Sequence, residues 1–484
     1  MDLPEVAERI LFYLASAAVV AAQVATSGHA ILYKREPRAA VAWTGLIWLV
    51  PGVGALLYVL FGINRIQRRA VRLRKKRRRL DALGEQTACA PERMAEVLGP
   101  DLAHLAALPR VGDGVVRRPL LDGNRVVPLV NGEQAYPEML RAIDRAQRSI
   151  SLLVYIFELD EVGRGFVDAL SRAVARGVEV RVLLDDLGSG RLWGSPVRAL
   201  RAAGVPAAAF LPLRVPWRTR YMNLRNHRKI LVTDGRVGFT GGMNIRVSHR
   251  VERGRDPREQ DVHFRLEGPV VEHLQEAFVD DWAFTTGEIL KGPAWFPRPE
   301  RAGDVIARGI PFDPGTGETL RWILVGALAL ARRSVRIVTP YFIPDQALIA
   351  ALNVAALRGV EVDVLIPRRS DNLLVDWATT ATLWQILVGG CRVWRTPPPF
   401  DHSKLMVVDG VWTLFGSANI DPRSLRLNFE FNVECYDRSL AEAVEGLVRA
   451  RLSRAEPVTL KKVDSRTIPV RLRDGIARLF SPYL

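Results

Sequence analysis

Two copies of one spacing, His-x-Lys-x4-Asp, hold the side chains best suited to chemistry. They are His227, Lys229 and Asp234 in NHRKILVTDGRVGFTGGMNI, and His402, Lys404 and Asp409 in DHSKLMVVDGVWTLFGSANI. Each is followed by Gly-rich sequence with an Asn at the matching distance, Asn244 and Asn419. The chain has only seven histidines in 484 residues, so two in equivalent settings is a signal. Imidazole titrates near neutrality and can attack, donate a proton or accept one. Lysine ammonium groups stabilise charge building on phosphate oxygens. Two of each at one phosphate would use this pattern. A surface His beside a surface Lys is the commoner explanation of a single copy, but matching flanks on two copies reverse that. Neither copy has a second His or Cys at ligand spacing, so no metal and no cofactor is expected.

Local sequence shows how these groups are held. ILVTD and LMVVD are short β-branched runs ending in Asp-Gly, the pattern of a buried strand and a turn. Side chains two apart on a strand share a face, so His227 projects with Lys229 and His402 with Lys404. Asp234 and Asp409 have the opposite parity and fall at the turn, where they anchor the motif. Gly241-Gly242 and Gly416-Ser417 let backbone approach a ligand. Ser417, Asn244 and Asn419 are the substrate-binding candidates there.

The duplication extends beyond the motifs. AQRSISLLVYIFELDEVGRGFVDALSRAVARGVEVRVLLDD parallels ARRSVRIVTPYFIPDQALIAALNVAALRGVEVDVLIP. Each reads as strand, amphipathic helix and second strand, which predicts an α/β fold with a largely parallel core. Two pseudo-symmetric halves, 128–290 and 291–484, would share one active site where matching strand ends meet. Each half supplies one motif histidine, so independent sites are the weaker reading.

The N-terminus is a different object. Ile10 to Tyr33 and Ala39 to Ile63 are uncharged runs separated by KREPR, each long enough to cross a bilayer. Asp2, Glu5 and Glu8 spoil the basic start of a cleaved signal peptide. A two-helix transmembrane hairpin over 1–80 is expected, with the N-terminus and the body on one side. The run NRIQRRAVRLRKKRRRL then outweighs the KREPR loop and places the body in the cytoplasm. Beside a span, that run suits anionic lipid head groups better than nucleic acid. Residues 81–127 read as a linker.

Whole-chain numbers agree. A formal net charge of +16 suits an anionic surface or substrate. Cys89, Cys391 and Cys435 have no pairing or zinc spacing, consistent with a reducing compartment. FLPLRVPWRTRYM mixes aromatics with arginines and prolines, and VRLRDGIARLFSPYL reads either as an interfacial amphipathic helix or as one packed on the body.

These residues carry a resemblance. The paired motifs resemble the HKD signatures of the phospholipase D superfamily, and the layout is similar to the bacterial cardiolipin synthase family. REPRAAVAWTGLIWLVPGVGALLYVLFGINR, QDVHFRLEGPVVEHLQEAFVDDW and the RLFSPYL ending extend the likeness through nearly the whole chain. The resemblance implies phosphatidyl transfer between two phosphatidylglycerol molecules in the cytoplasmic membrane, giving cardiolipin and glycerol. It implies a covalent phosphohistidine, with His227 as nucleophile and His402 as general acid, then base. Lys229, Lys404, Asn244 and Asn419 would hold the phosphate, and Asp261 and Glu430 would orient the histidines. A hydrolase, a transferase using another alcohol, a nuclease and a non-catalytic lipid-binding scaffold are the rival expectations. Intact motifs count against the scaffold, and the membrane runs count against the nuclease.

Overall fold

The computed structural model describes residues 3–34, 37–63, 88–189, 195–212, 224–252, 258–314 and 318–481. The basic run after Ile63 and most of FLPLRVPWRTRYM lie outside them. The chain divides into two compact units, one N-terminal and one holding both motifs.

In the N-terminal unit, apolar side chains without helix breakers give one long helix, Leu3–Tyr33. Its Glu8–Tyr33 stretch is, among the described residues, the one helix long and apolar enough to cross a membrane. The second run departs from the expected span. It forms a helix, Pro37–Leu49, breaks at Val50–Gly52, and resumes as a short helical stretch from Val53 to Gly62. Pro51 cannot donate a helical hydrogen bond, which stops the first piece. A Cβ on Gly54 would meet Leu46 O at 2.3 Å, so only glycine lets the two pieces fold so closely together. Lys34 Nζ donates to Gly62 O at 2.6 Å, which brings the end of the run back beside its start. Among the described residues the second run is thus a folded-back pair rather than one continuous helix, and the expected two-helix hairpin is not confirmed.

The second unit is α/β and built on one mixed sheet of 15 strands among the described residues. Strands Leu121–Val130 and Val305–Phe312 meet antiparallel at its centre. Outward from each, the same order repeats. The first half runs through Val262–Glu267, Val237–Gly241, Ile230–Thr233, Ser149–Val154, Glu179–Asp185 and Ala207–Phe210. The second runs through Glu430–Tyr436, Trp412–Gly416, Leu405–Val408, Ser334–Val338, Glu361–Pro367 and Arg392–Thr396, with Glu456–Val458 added at the edge.

Only the outer three strands of each repeat are parallel. The inner ones are antiparallel because Asp234-Gly235 and Asp409-Gly410 make tight turns rather than helical crossovers. This corrects the expected largely parallel core. The helical connections follow the outer strands, with Asp160 and Asp345 capping the equivalent helices Glu161–Ala175 and Gln346–Leu357.

The stretch expected as a linker over 81–127 is, where described, no tether. Met94, Leu98, Leu102, Leu105 and Leu108 pack with Leu320, Ile323 and Leu324 in the core of the second half. The expected boundary at 127 falls inside the central strand. Apolar spacing in PERMAEVLGPDLAHLAAL was the available sign of that packing.

Candidate active site

His227 and Lys229 lie just before strand Ile230–Thr233, and His402 and Lys404 just before Leu405–Val408. These leading segments bond to the opposite half. His227 N donates to Phe429 O at 2.9 Å, and His402 N donates to Gln260 O at 2.8 Å. Phe400–Asp401 also pairs in parallel with Glu259–Gln260. The residue after each acceptor is the acid, so register alone brings Glu430 to His227 and Asp261 to His402. His227 Nδ1 lies 3.1 Å from Glu430 Oε2, and His402 Nδ1 lies 3.0 Å from Asp261 Oδ2. Occupying Nδ1 in this way leaves Nε2 of each ring for chemistry.

Both lysines are buried, and each ammonium donates to the carbonyl of its own histidine. The distances are 2.7 Å for Lys229 Nζ to His227 O and 2.5 Å for Lys404 Nζ to His402 O. Burial holds the Lys229 ammonium well below its usual range and brings Lys404 down to about 8, against the pull of Asp261 and Glu430. The histidines are depressed for the same reason. Burial, offset by Glu430, takes His227 to about 4, and the positive charges of Lys229 and Lys404 add to the depression. Burial and then Lys404 hold His402 well down, with smaller contributions from Lys229 and His227. Each imidazole thus feels both lysines, and the two motifs form one electrostatic site.

Asp234 and Asp409 sit at the turns, as their parity predicted, with φ of 55° and 53°. Asp234 accepts from the backbone N–H groups of Gln147, Arg148 and Ser149. Asp409 accepts equivalently from Arg332, Arg333 and Ser334. Both carboxylates therefore tie the turn to the start of the neighbouring strand. Asp409 also meets His104 Nε2 at 2.7 Å, a contact from the 88–116 segment.

The halves differ beneath the acids. Ser417 is fully buried, and its Oγ donates to Glu430 Oε2 at 2.5 Å while accepting from Phe431 N at 3.0 Å. Its hydroxyl thus serves the acid rather than facing a ligand. The equivalent residue is Gly242, where a Cβ would lie 2.6 Å from Asp261 Oδ2. A serine cannot fit there, so Asp261 has no hydroxyl donor. Burial raises the Glu430 carboxyl, but His227, Lys229 and Ser417 together pull it below the usual range. Burial raises Asp261 to about 8, with Lys404 only partly offsetting it. Asn244 Oδ1 accepts from Ile156 N at 3.1 Å, leaving its NH2 group as donor, while Asn419 bonds the Asp421 carboxyl.

Several neighbours escaped the sequence reading. The Tyr155 ring lies 4.9 Å from that of His227, with Lys229 Nζ 5.4 Å from its centroid. Arg225 is buried, and Asp185 is its ion-pair partner at 3.9 Å. His249 Nε2 accepts from Asn244 N at 3.2 Å, and its ring lies 6.1 Å from that of His402. Phe400 and Tyr341 form an aromatic row leading away from His402. Arg225 and Phe400 each stand two residues before a motif histidine, the one positional signal that marked them.

Comparison with known proteins agrees with this geometry. The family model described as cardiolipin synthase, PLD-like domain, matches residues 139–282 and 324–450. One described as phospholipase D-nuclease N-terminal matches residues 21–62. The cardiolipin synthase of Geobacillus kaustophilus is 34% identical, covering 94% of this chain and 90% of that protein. Cardiolipin synthase A of Pseudomonas putida is also 34% identical, over 94% and 95% of the two chains. The fold is shared with phosphatidylserine synthase of Haemophilus influenzae, at a TM-score of 0.61 and 14% identity over 78% of this chain and 100% of that one. With both motifs aligned in one site and the relatives matched along nearly their full length, the chain belongs to the cardiolipin synthase family of phospholipase D-like proteins.

Proposed function

We propose that this chain is a phosphatidyltransferase that joins two phosphatidylglycerol molecules into cardiolipin and glycerol. The observation that carries the reading is the reciprocal pairing of each motif histidine with the other half's carboxylate. That pairing makes one site with two unlike histidines.

The unlike acids support the division of labour. Glu430, held ionised, takes the Nδ1 proton of His227 as a hydrogen bond and leaves a lone pair on Nε2. That Nε2 attacks phosphorus of the donor, forming a P–N bond as the P–O bond to glycerol breaks. The pair of Asp261 and His402 keeps a proton more readily, so His402 Nε2 delivers one to the departing glycerol oxygen. The head-group hydroxyl of a second phosphatidylglycerol then gives its proton to His402. Its oxygen displaces His227 and restores a phosphodiester. Lys229 and Lys404 counter the charge building on the phosphate oxygens, Asn244 and Asn419 are the candidate amide donors to them, and Ser417 hydrogen-bonds Glu430.

The first helix would span the cytoplasmic membrane, and the folded-back pair would enter it and return on the side of Lys34. The basic run after Ile63 then lies with Lys34, Arg35 and Arg38 on the cytoplasmic side, together with the body. Anionic phospholipids are the partners of that run. Turnover of labelled phosphatidylglycerol by purified protein, with a chelator present, tests the function. Cardiolipin and free glycerol are expected, whereas phosphatidic acid as the sole lipid product would make the chain a hydrolase.

A further inference from the structure

The C-terminal helix, Ile468–Leu479, has a surface that folding leaves unused. Its inner side is fixed: Ala477 and Asp474 are buried, Asp474 is paired with Arg466 and Arg473, and Arg473 stacks over the Trp377 ring at 4.5 Å. On the outer side Ile468 is 80% exposed, Leu472 63%, Ile476 48% and Leu479 77%. Positions 468, 472, 476 and 479 fall on one helical stripe. Arg471 and Arg478 flank it on one side and Arg473 on the other, and Lys461 and Lys462 are exposed on the preceding short helix. Leu373 and Leu374, on the helix that packs against this one, are also exposed.

An apolar stripe bordered by arginines matches a bilayer surface carrying anionic head groups, where apolar side chains enter the acyl boundary and cations meet phosphate. An ordinary surface helix would turn polar residues outward at these positions. The inner side of the same helix belongs to a cluster of Ile343, Val375, Ala378 and Ala477, with Tyr341 and Trp377 packed on it. Tyr341 begins the aromatic row that continues through Phe400 to His402. The inner side of the helix thus connects, through Tyr341 and Phe400, to the His402 side of the site.

We infer that the C-terminal helix lies in the surface of an anionic bilayer and holds the His402 side of the site against the lipid that supplies its substrate. This rests on the lipid-transfer reading for its purpose, but its location is measurable without turnover. In full-length protein with Cys89, Cys391 and Cys435 replaced by serine, a nitroxide at Ile476→Cys reports depth in phosphatidylglycerol–phosphatidylcholine vesicles. Oxygen should collide with it more often than a water-soluble nickel chelate does. A Leu472→Glu, Ile476→Glu protein should lose about tenfold in kcat/KM on those vesicles and keep its turnover of short-chain, monomeric phosphatidylglycerol. A label dominated by the nickel chelate, or shielded from both probes by protein, overturns the inference. Absence of cardiolipin from the short-chain lipid with a lipid-immersed label would instead overturn the proposed activity alone.

Discussion

Glu430 Oε2 lies 3.1 Å from Nδ1 of His227, although the two residues belong to opposite halves of the chain. The contact follows from backbone register, since His227 N bonds Phe429 O one residue earlier. Its counterpart, Asp261 with His402, is built the same way. The halves are therefore interlocked at the motif histidines, each of which has its Nδ1 partner in the other half. What distinguishes them is the residue beneath the acid, Ser417 in one and Gly242 in the other.

Ser417→Ala removes a hydroxyl hydrogen bond that, after His227 and Lys229, helps to hold the Glu430 carboxyl below its usual range. The expected result is a fall in kcat of about tenfold with little change in KM, and an acid limb of the pH profile moved upward. An unchanged profile would show that Glu430 does not depend on this hydrogen bond.

The pH dependence of turnover on a soluble donor has a predicted shape. His227, depressed to about 4, stays neutral and able to attack through the mildly acidic range. Asp261 and Lys404, both near 8, lose a proton above that value, which removes the acid needed for departure of glycerol and one phosphate-binding charge. Turnover should fall on the acid side as His227 takes up a proton, be nearly flat between about pH 5 and about pH 7, and fall again above about pH 8. A decline setting in below pH 7 on raising the pH would contradict this assignment.

Asp409 is placed to anchor its turn, so its expected contribution is to stability. Burial raises its carboxyl, but the backbone of Ser334 and the His104 side chain outweigh that and hold it below the usual range. A depressed carboxylate stabilises the fold above its unfolded value, near 3.9, and that contribution is lost as pH falls through the folded value. Asp409→Asn should cost roughly 2–4 kcal/mol at neutral pH, with the gap from the parent narrowing below about pH 4. Denaturant melts at both pH values measure it, and a gap independent of pH would argue against an ionised anchor.

The N-terminal unit predicts membrane sidedness. With Gly62 beside Lys34 and one long helix before it, the N-terminus and the body should lie on opposite sides. A cysteine at Leu3 should react with an impermeant maleimide in intact cells, and one at exposed Ser453 only after permeabilisation. Protection of both would restore the two-span hairpin.

The sequence made the catalytic elements legible because repetition is visible along a chain. Two HxK motifs, two RGVEV strands and matching Asp-Gly turns all survive as local strings. The rest of the antiparallel pairing was harder to see, since Val237–Gly241 with Val262–Glu267, and Trp412–Gly416 with Glu430–Tyr436, pair across connections that carry no tight-turn signature. The service of Ser417 to Glu430 was hidden for a similar reason, because that contact lies across a strand pair. In the second apolar run, composition indicated one continuous helix, but Pro51 and the close approach at Gly54 break and fold it. Asp261 and Glu430 were found only through family resemblance, as their partners come from the opposite half.

The identity of the histidine that carries the phosphatidyl group is the most direct test of the two roles. A phosphatidyl donor with a 4-nitrophenol leaving group needs no acid for departure, so His402→Ala protein should release one equivalent of nitrophenolate in a burst. Mass spectrometry of the quenched protein should then place the phosphatidyl adduct on the peptide containing His227. A burst from His227→Ala protein instead, with the adduct on His402, would contradict the assignment of roles.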